Sequence, residues 1–216
     1  MKRLLTLFFA TLLSGVTLAQ APDPKPGDFT QLEIEINEIL QETKVVGMSI
    51  AVIDDFRVVW AKGFGVVEAG STDSVHTNTL FQAASITKSF TAAAVLKAME
   101  EGRIALDDDV NSQLTSWKIP QNEFTAQAPV TVKQLLSHTS GIPGMAFKPY
   151  THTDALPAIG QVLRGEAPAG NSPVIVRDVP GKRYSYTGGG YAVLEQLLTD
   201  TEGRPFPQVI QRAVFD

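Results

Sequence analysis

The feature that most constrains this chain is a pair of short β-rich runs with no later strand to join them. Met48-Ser49-Ile50-Ala51-Val52-Ile53 and Val58-Val59-Trp60-Ala61-Lys62 flank the polar stretch Asp54-Asp55-Phe56-Arg57. Two such runs around a short turn predict a hairpin. A lone two-stranded hairpin is marginal in water. The remainder of the sequence nevertheless reads as helices and loops, so the strands that should extend this sheet are not in it. The chain is therefore expected to be the N-terminal piece of a larger fold, with an open strand edge prone to association.

The surrounding pattern is helical. Leu32, Ile36, Ile39 and Leu40 recur at helical spacing among Glu33, Glu35, Glu38 and Glu42, predicting an amphipathic helix over 29–44. A second helix is expected from Ser85 to about Glu101, stopped by Gly102, its alanines suggesting burial on several sides. Thr131 should cap a short helix ending at Leu136. Further helices are expected over 158–164, over 191–200 with Tyr191 opening it, and over 206–215. Gly63, Gly65 and Gly70 read as loop. So do 139–157 and 165–183, rich in Pro, Gly and Thr. The acids of Leu106-Asp107-Asp108-Asp109-Val110 read as a turn with a helix cap, not a metal site, since no histidine or further acid lies at ligand spacing.

The first residues are unlike the rest. Lys2 and Arg3 precede an apolar run to about Leu18, followed by Ala19-Gln20-Ala21. Residues 1–21 thus carry the three parts of a secretory signal. A membrane anchor is the alternative, but Ser14 and Gly15 interrupt a run already too short to span comfortably. No stable span is expected after signal removal. Residues 22–28 form a Pro-rich spacer, and 29–216 the folded domain. Among 216 residues, 44% are hydrophobic and 19% charged, an ordinary globular balance. The net charge of −5, without a Lys/Arg cluster, argues against a nucleic-acid partner. With no cysteine, neither disulfides nor a thiol nucleophile are available. Export without cysteine fits a bacterial periplasm or secretion.

The chemistry centres on Ser85-Ile86-Thr87-Lys88. Positions three apart on a helix lie on nearly one face, so Lys88 can reach the Ser85 hydroxyl. Serine needs a base to accept its proton, and burial favours the neutral form of a lysine. The Ser85 N–H, at a helix start, can face a developing oxyanion. Ser-x-x-Lys is nevertheless a common pattern. On the tetrad alone, an ordinary helix start with an exposed lysine is the better reading.

Two further stretches change that balance, VKQLLSHTSGI at 132–142 and PGKRYSYTGGGY at 180–191. With Ser85-x-x-Lys88, in this order and at this spacing, they resemble the serine β-lactamase and penicillin-binding superfamily, in its class C-like branch. The resemblance covers about residues 30–216. It implies an α/β (α+β) fold of β-lactamase/transpeptidase type: an antiparallel sheet packed by helices, plus an all-helical subdomain, with the C-terminal strands missing from this chain. It also implies that Ser85 is the nucleophile, Lys88 its proton partner and Tyr186 the catalytic tyrosine, acting on amide, ester or lactam substrates. No metal or organic cofactor is implied. The partner would be a small molecule or a peptidoglycan-type peptide.

Two departures matter. The second motif is usually Tyr-x-Asn, and here Gly188 takes the asparagine's place, favouring peptidase or esterase use over strong β-lactamase activity. No Lys-Thr-Gly or His-x-Gly follows Tyr186. The rival expectation is a non-catalytic binding or regulatory module, or an inactive product, on the same fold. Phe147 and Tyr150, in the Pro-rich loop, are expected with Gly188 to line a substrate cleft. His138 is expected to sit in a structural turn beneath the site. His76 and His152 fall in loops. Trp60 and Trp117 are expected in core or groove positions, and Tyr184 is expected to pack.

Overall fold

The computed structural model describes residues 28–216 except 146, 148 and 152. The expected signal peptide, nearly all of the Pro-rich spacer and His152 lie outside the described residues. The chain divides into two units, Met1–Phe81 and Gln82–Asp216.

In the first unit, helix α1 (Thr30–Thr43) precedes strands β1 (Gly47–Asp54) and β2 (Arg57–Gly65). The apolar stripe of α1 meets the hairpin through Ile36, Leu40 and Phe64, with Met48, Ile50 and Trp60 packed around them. Trp60 also stacks on Phe29 at 5.0 Å between ring centroids. The strands pair antiparallel, Asp54 opposite Arg57, and Asp55 and Phe56 both take positive φ. That is the turn geometry whose twist matches a hairpin.

Gly63 and Gly65, expected in a loop, lie inside β2. The segment after the strand folds back so closely that a Cβ on Gly63 would lie 2.1 Å from the Val75 carbonyl oxygen. Close backbone approach, not flexibility, is the reason for glycine there.

The second unit is helical. It runs through α2 (Thr87–Glu100), α3 (Val110–Gln113), α4 (Val132–Leu136), α5 (Ile159–Arg164), α6 (Gly188–Glu202) and α7 (Phe206–Ile210), closing on a π turn, Gln211–Phe215. Helix α6 is the central element. Val193, Leu194, Leu197 and Leu198 are fully buried, and α2, α4, α5 and α7 pack around the helix. Trp117 packs at the edge of this core.

Local signals explain the other elements. Thr131 and Gln134 form a reciprocal capping box at α4. The Asp109 side chain accepts from Asn111 N–H at the start of α3, so one acid of the Asp107–Asp109 run is a cap.

Two expectations change. Helix α2 buries one stripe, Thr91, Ala94, Val95 and Ala98, and leaves Leu96 and Met99 exposed; its alanines do not make it buried on several sides. Helix α6 begins at Gly188, not at Tyr191. The Thr187 hydroxyl accepts from Gly189 N–H and caps the helix. The three glycines are thus its first turn.

Candidate active site

The chain enters α2 through a tight turn. Ala84 has φ of +45°, an uncommon conformation for a residue with a Cβ, and Ala84–Ile86 form a single 3₁₀ turn. Ser85 lies at the middle of that turn and is exposed. One turn along, half-buried Lys88 donates from Nζ to Ser85 Oγ at 3.3 Å.

Tyr186 arrives from 101 residues away and donates from Oη to the same Ser85 Oγ at 2.8 Å. What delivers it is the SHTSG turn. Gly181 N–H donates to the Thr139 carbonyl at 2.7 Å and Ser185 N–H to the His138 carbonyl at 2.8 Å. Thr187 N–H then donates to His138 Nδ1 at 3.2 Å. His138 thus fixes the residues on both sides of Tyr186, and its ring lies 4.5 Å from the Tyr186 ring and 5.1 Å from that of Tyr191. It adopts φ of +58°. It is a positioning residue in a structural turn, as the family resemblance implied. Tyr184 meets the other edge of the imidazole but is largely exposed, less packed than expected.

The electrostatics follow from this geometry. The bond to Ser85 holds the Tyr186 phenol below the ordinary tyrosine range, helped by the hydrogen bond and charge of Lys88 and opposed by burial. Burial, with Lys88 nearby, lowers His138, which keeps the imidazole neutral and its Nδ1 able to accept. Tyr191 is pushed up by burial and by Tyr186, and its hydroxyl donates to the Leu136 carbonyl at 3.2 Å. Lys88 Nζ lies 5.0 Å from the Tyr186 ring centroid and 5.7 Å from that of Tyr191. A serine hydroxyl held by an ammonium and an easily ionised phenol can lose its proton to the phenolate form and attack an electrophilic carbon.

Beside this trio lies a cavity of about 420 Å³, whose wall includes Lys88, Gly188, Phe147 and Tyr150. All three residues expected to line a cleft therefore face one space. Gly188 does so without a side chain for a physical reason. A Cβ there would lie 2.3 Å from Phe147 Cε2, so the Phe147 ring occupies the room an asparagine would need. Sequence reasoning passes over another residue of the wall, Glu195. Its signal was available, since it falls on the α6 face that carries Gly188 and Tyr191.

An exposed serine at a helix start is thus hydrogen-bonded by both a lysine one turn on and a distant tyrosine. Residues 32–216 match the Beta-lactamase family, and the chain belongs to that family, one of β-lactamase-fold serine hydrolases. An unguisins hydrolase of Aspergillus violaceofuscus is 29% identical over 221 residues, covering 92% of this chain and 35% of that protein. The octameric penicillin-binding protein homologue of Pyrococcus abyssi is 31% identical, with a TM-score of 0.63 over 88% of this chain and 42% of the other. The β-lactamase/D-alanine carboxypeptidase of Yersinia pestis, solved with citrate, shares the fold at 23% identity, with a TM-score of 0.65 over 86% of this chain and 52% of the other. The α+β fold of antiparallel sheet and helices is thus that of the β-lactamase/transpeptidase type. The chain spans about a third of the length of the curated relatives it matches.

Proposed function

We propose that the chain carries the acylation centre of an exported serine hydrolase, class C-like, that forms an acyl-enzyme on Ser85 with amide, ester or lactam substrates. The observation that carries this reading is the convergence of Lys88 Nζ and Tyr186 Oη on one Ser85 Oγ. In the acylation step the Tyr186 phenolate, stabilised by the Lys88 ammonium, takes the Ser85 proton as Oγ bonds to the carbonyl carbon. The Ser85 N–H, in the 3₁₀ turn that leads into α2, faces the oxyanion. Tyr186 then returns the proton to the departing amine or alcohol, and later activates the water that releases the acyl group. Phe147 over Gly188 leaves no orienting amide, which favours peptidase or esterase substrates over rapid β-lactam hydrolysis. The leader-like residues 1–21 support a periplasmic or secreted location.

A fluorophosphonate probe and a fluorescent penicillin test the reading together. Wild type is expected to label with the fluorophosphonate and Ser85→Ala not at all, with Tyr186→Phe slowed by about 10²-fold or more. A folded wild-type chain that takes neither probe would assign the fold to a non-catalytic binding module.

A further inference from the structure

Glu195 is the one acid among the described residues on the wall of the cavity beside Ser85. It sits on α6 in a stripe with Gly188, Tyr191 and Ala192, at the i, i+3, i+4, i+7 spacing that puts residues on one helix face. The wall also carries the apolar side chains of Phe147, Leu156, Val162 and Phe206. Among the described residues, its carboxylate takes part in no hydrogen bond and no ion pair. Lys88 is the only cationic side chain on the wall among the described residues, and its ammonium is directed to Ser85 Oγ. The remaining titratable groups of the wall are the phenols of Tyr150 and Tyr191. Neither supplies positive charge.

A carboxylate in an apolar wall is unfavourable unless a cation or donors meet it. Burial accordingly pushes the Glu195 carboxyl up to about 7. Among the described residues no cation is paired with it, and the cavity is open to one. Its volume of about 420 Å³ fits a small organic group, and the rings of Phe147, Tyr191 and Phe206 suit the face of an ammonium as well as an apolar body.

We propose that this cavity is a specificity subsite for substrates that carry a primary ammonium next to an apolar or aromatic group, with Glu195 as the counter-ion. The inference rests on the serine-hydrolase reading for its catalytic consequence, though not for the binding itself. A ligand ammonium at Glu195 restores the missing partner and stabilises the ionised carboxylate. A neutral isostere gains only the apolar contacts.

Benzylamine and benzyl alcohol are suitable probes, titrated into the full chain and followed by amide chemical shifts at slightly alkaline pH. Benzylamine is expected to bind wild type, and Glu195→Gln to weaken it about tenfold or more. Benzyl alcohol is expected to bind more weakly than benzylamine and to be indifferent to the substitution. Ser85→Ala removes the nucleophile but leaves the cavity wall, so it should bind benzylamine as wild type does. Equal benzylamine affinity for wild type and Glu195→Gln would overturn the proposal. So would equal affinity of wild type for amine and alcohol, or no amine binding by a folded wild-type chain. Intact benzylamine binding with no fluorophosphonate labelling would refute the hydrolase reading alone.

Discussion

At the scale of single residues, two ionisable groups are held away from their ordinary behaviour in opposite senses. The Tyr186 phenol is lowered by the Ser85 bond first and by Lys88 second. An ultraviolet titration should show one phenol ionising early in wild type, with its onset moved upward in both Ser85→Ala and Lys88→Ala. An unchanged onset in both variants would remove the case for a phenolate base. Glu195 is the reverse. Its carboxyl rises from 4.5 to about 7, so between these values the folded state holds a proton that the unfolded chain releases. That contribution to stability is complete below the ordinary glutamate value and is lost as pH rises through about 7. Urea unfolding at alkaline pH should therefore find Glu195→Gln more stable than wild type by about 1–3 kcal/mol, after allowance for partial exposure. At acid pH the two should nearly coincide. His138 belongs to this scale as well. Its neutral Nδ1 accepts from Thr187 N–H, and its left-handed backbone sets the direction of the turn that carries Tyr186.

At the scale of elements, the hairpin turn invites a direct test. Phe56 combines a φ of +58° with complete exposure. Glycine at the second turn position suits this geometry without the Cβ penalty. Phe56→Gly should stabilise the chain by up to about 1 kcal/mol, read as a raised melting temperature. A lowered one would show that the ring has a packing role. The same elements show why some of the structure was legible from the sequence. Helix α1, the hairpin and the α4 cap follow from local signals: an apolar stripe, β-branched alternation, a Thr131–Gln134 box. The Ser85–Lys88 pair was legible as spacing, because three residues span one helical turn. Tyr186 was legible only through resemblance, since nothing local ties it to a serine so far away. The start of α6 was misread because a run of three glycines looks like loop. Tertiary packing decides it instead, with Phe147 pressed over Gly188 and the Thr187 hydroxyl closing the first turn. Glu195 carried a faint signal on its helix face. The rest of the cavity wall depends on how a Pro-rich loop folds, which residue spacing does not encode.

At the scale of the whole molecule, the described residues of the first unit present a two-stranded sheet with exposed Ile53, Val58 and Val59. Unpaired, apolar strands recruit other strands. Wild type should therefore self-associate with rising concentration, as seen by sedimentation or light scattering. Val58→Lys should reduce that association without loss of folded signal. Unchanged association would place the sticky surface elsewhere. The site makes a different demand on the molecule. Lys88 meets Ser85 across three residues, but Tyr186 meets it across 101. Local contacts form readily, whereas contacts distant in sequence must first overcome the entropy of closing a long loop. A growing or refolding chain therefore has its serine–lysine pair long before its phenol. On the proposed serine-hydrolase reading, reactivity at Ser85 becomes a late event, tied to completion of the helical unit. A covalent probe added at timed intervals during refolding would then act as a clock, marking when the last-arriving part of the site docks.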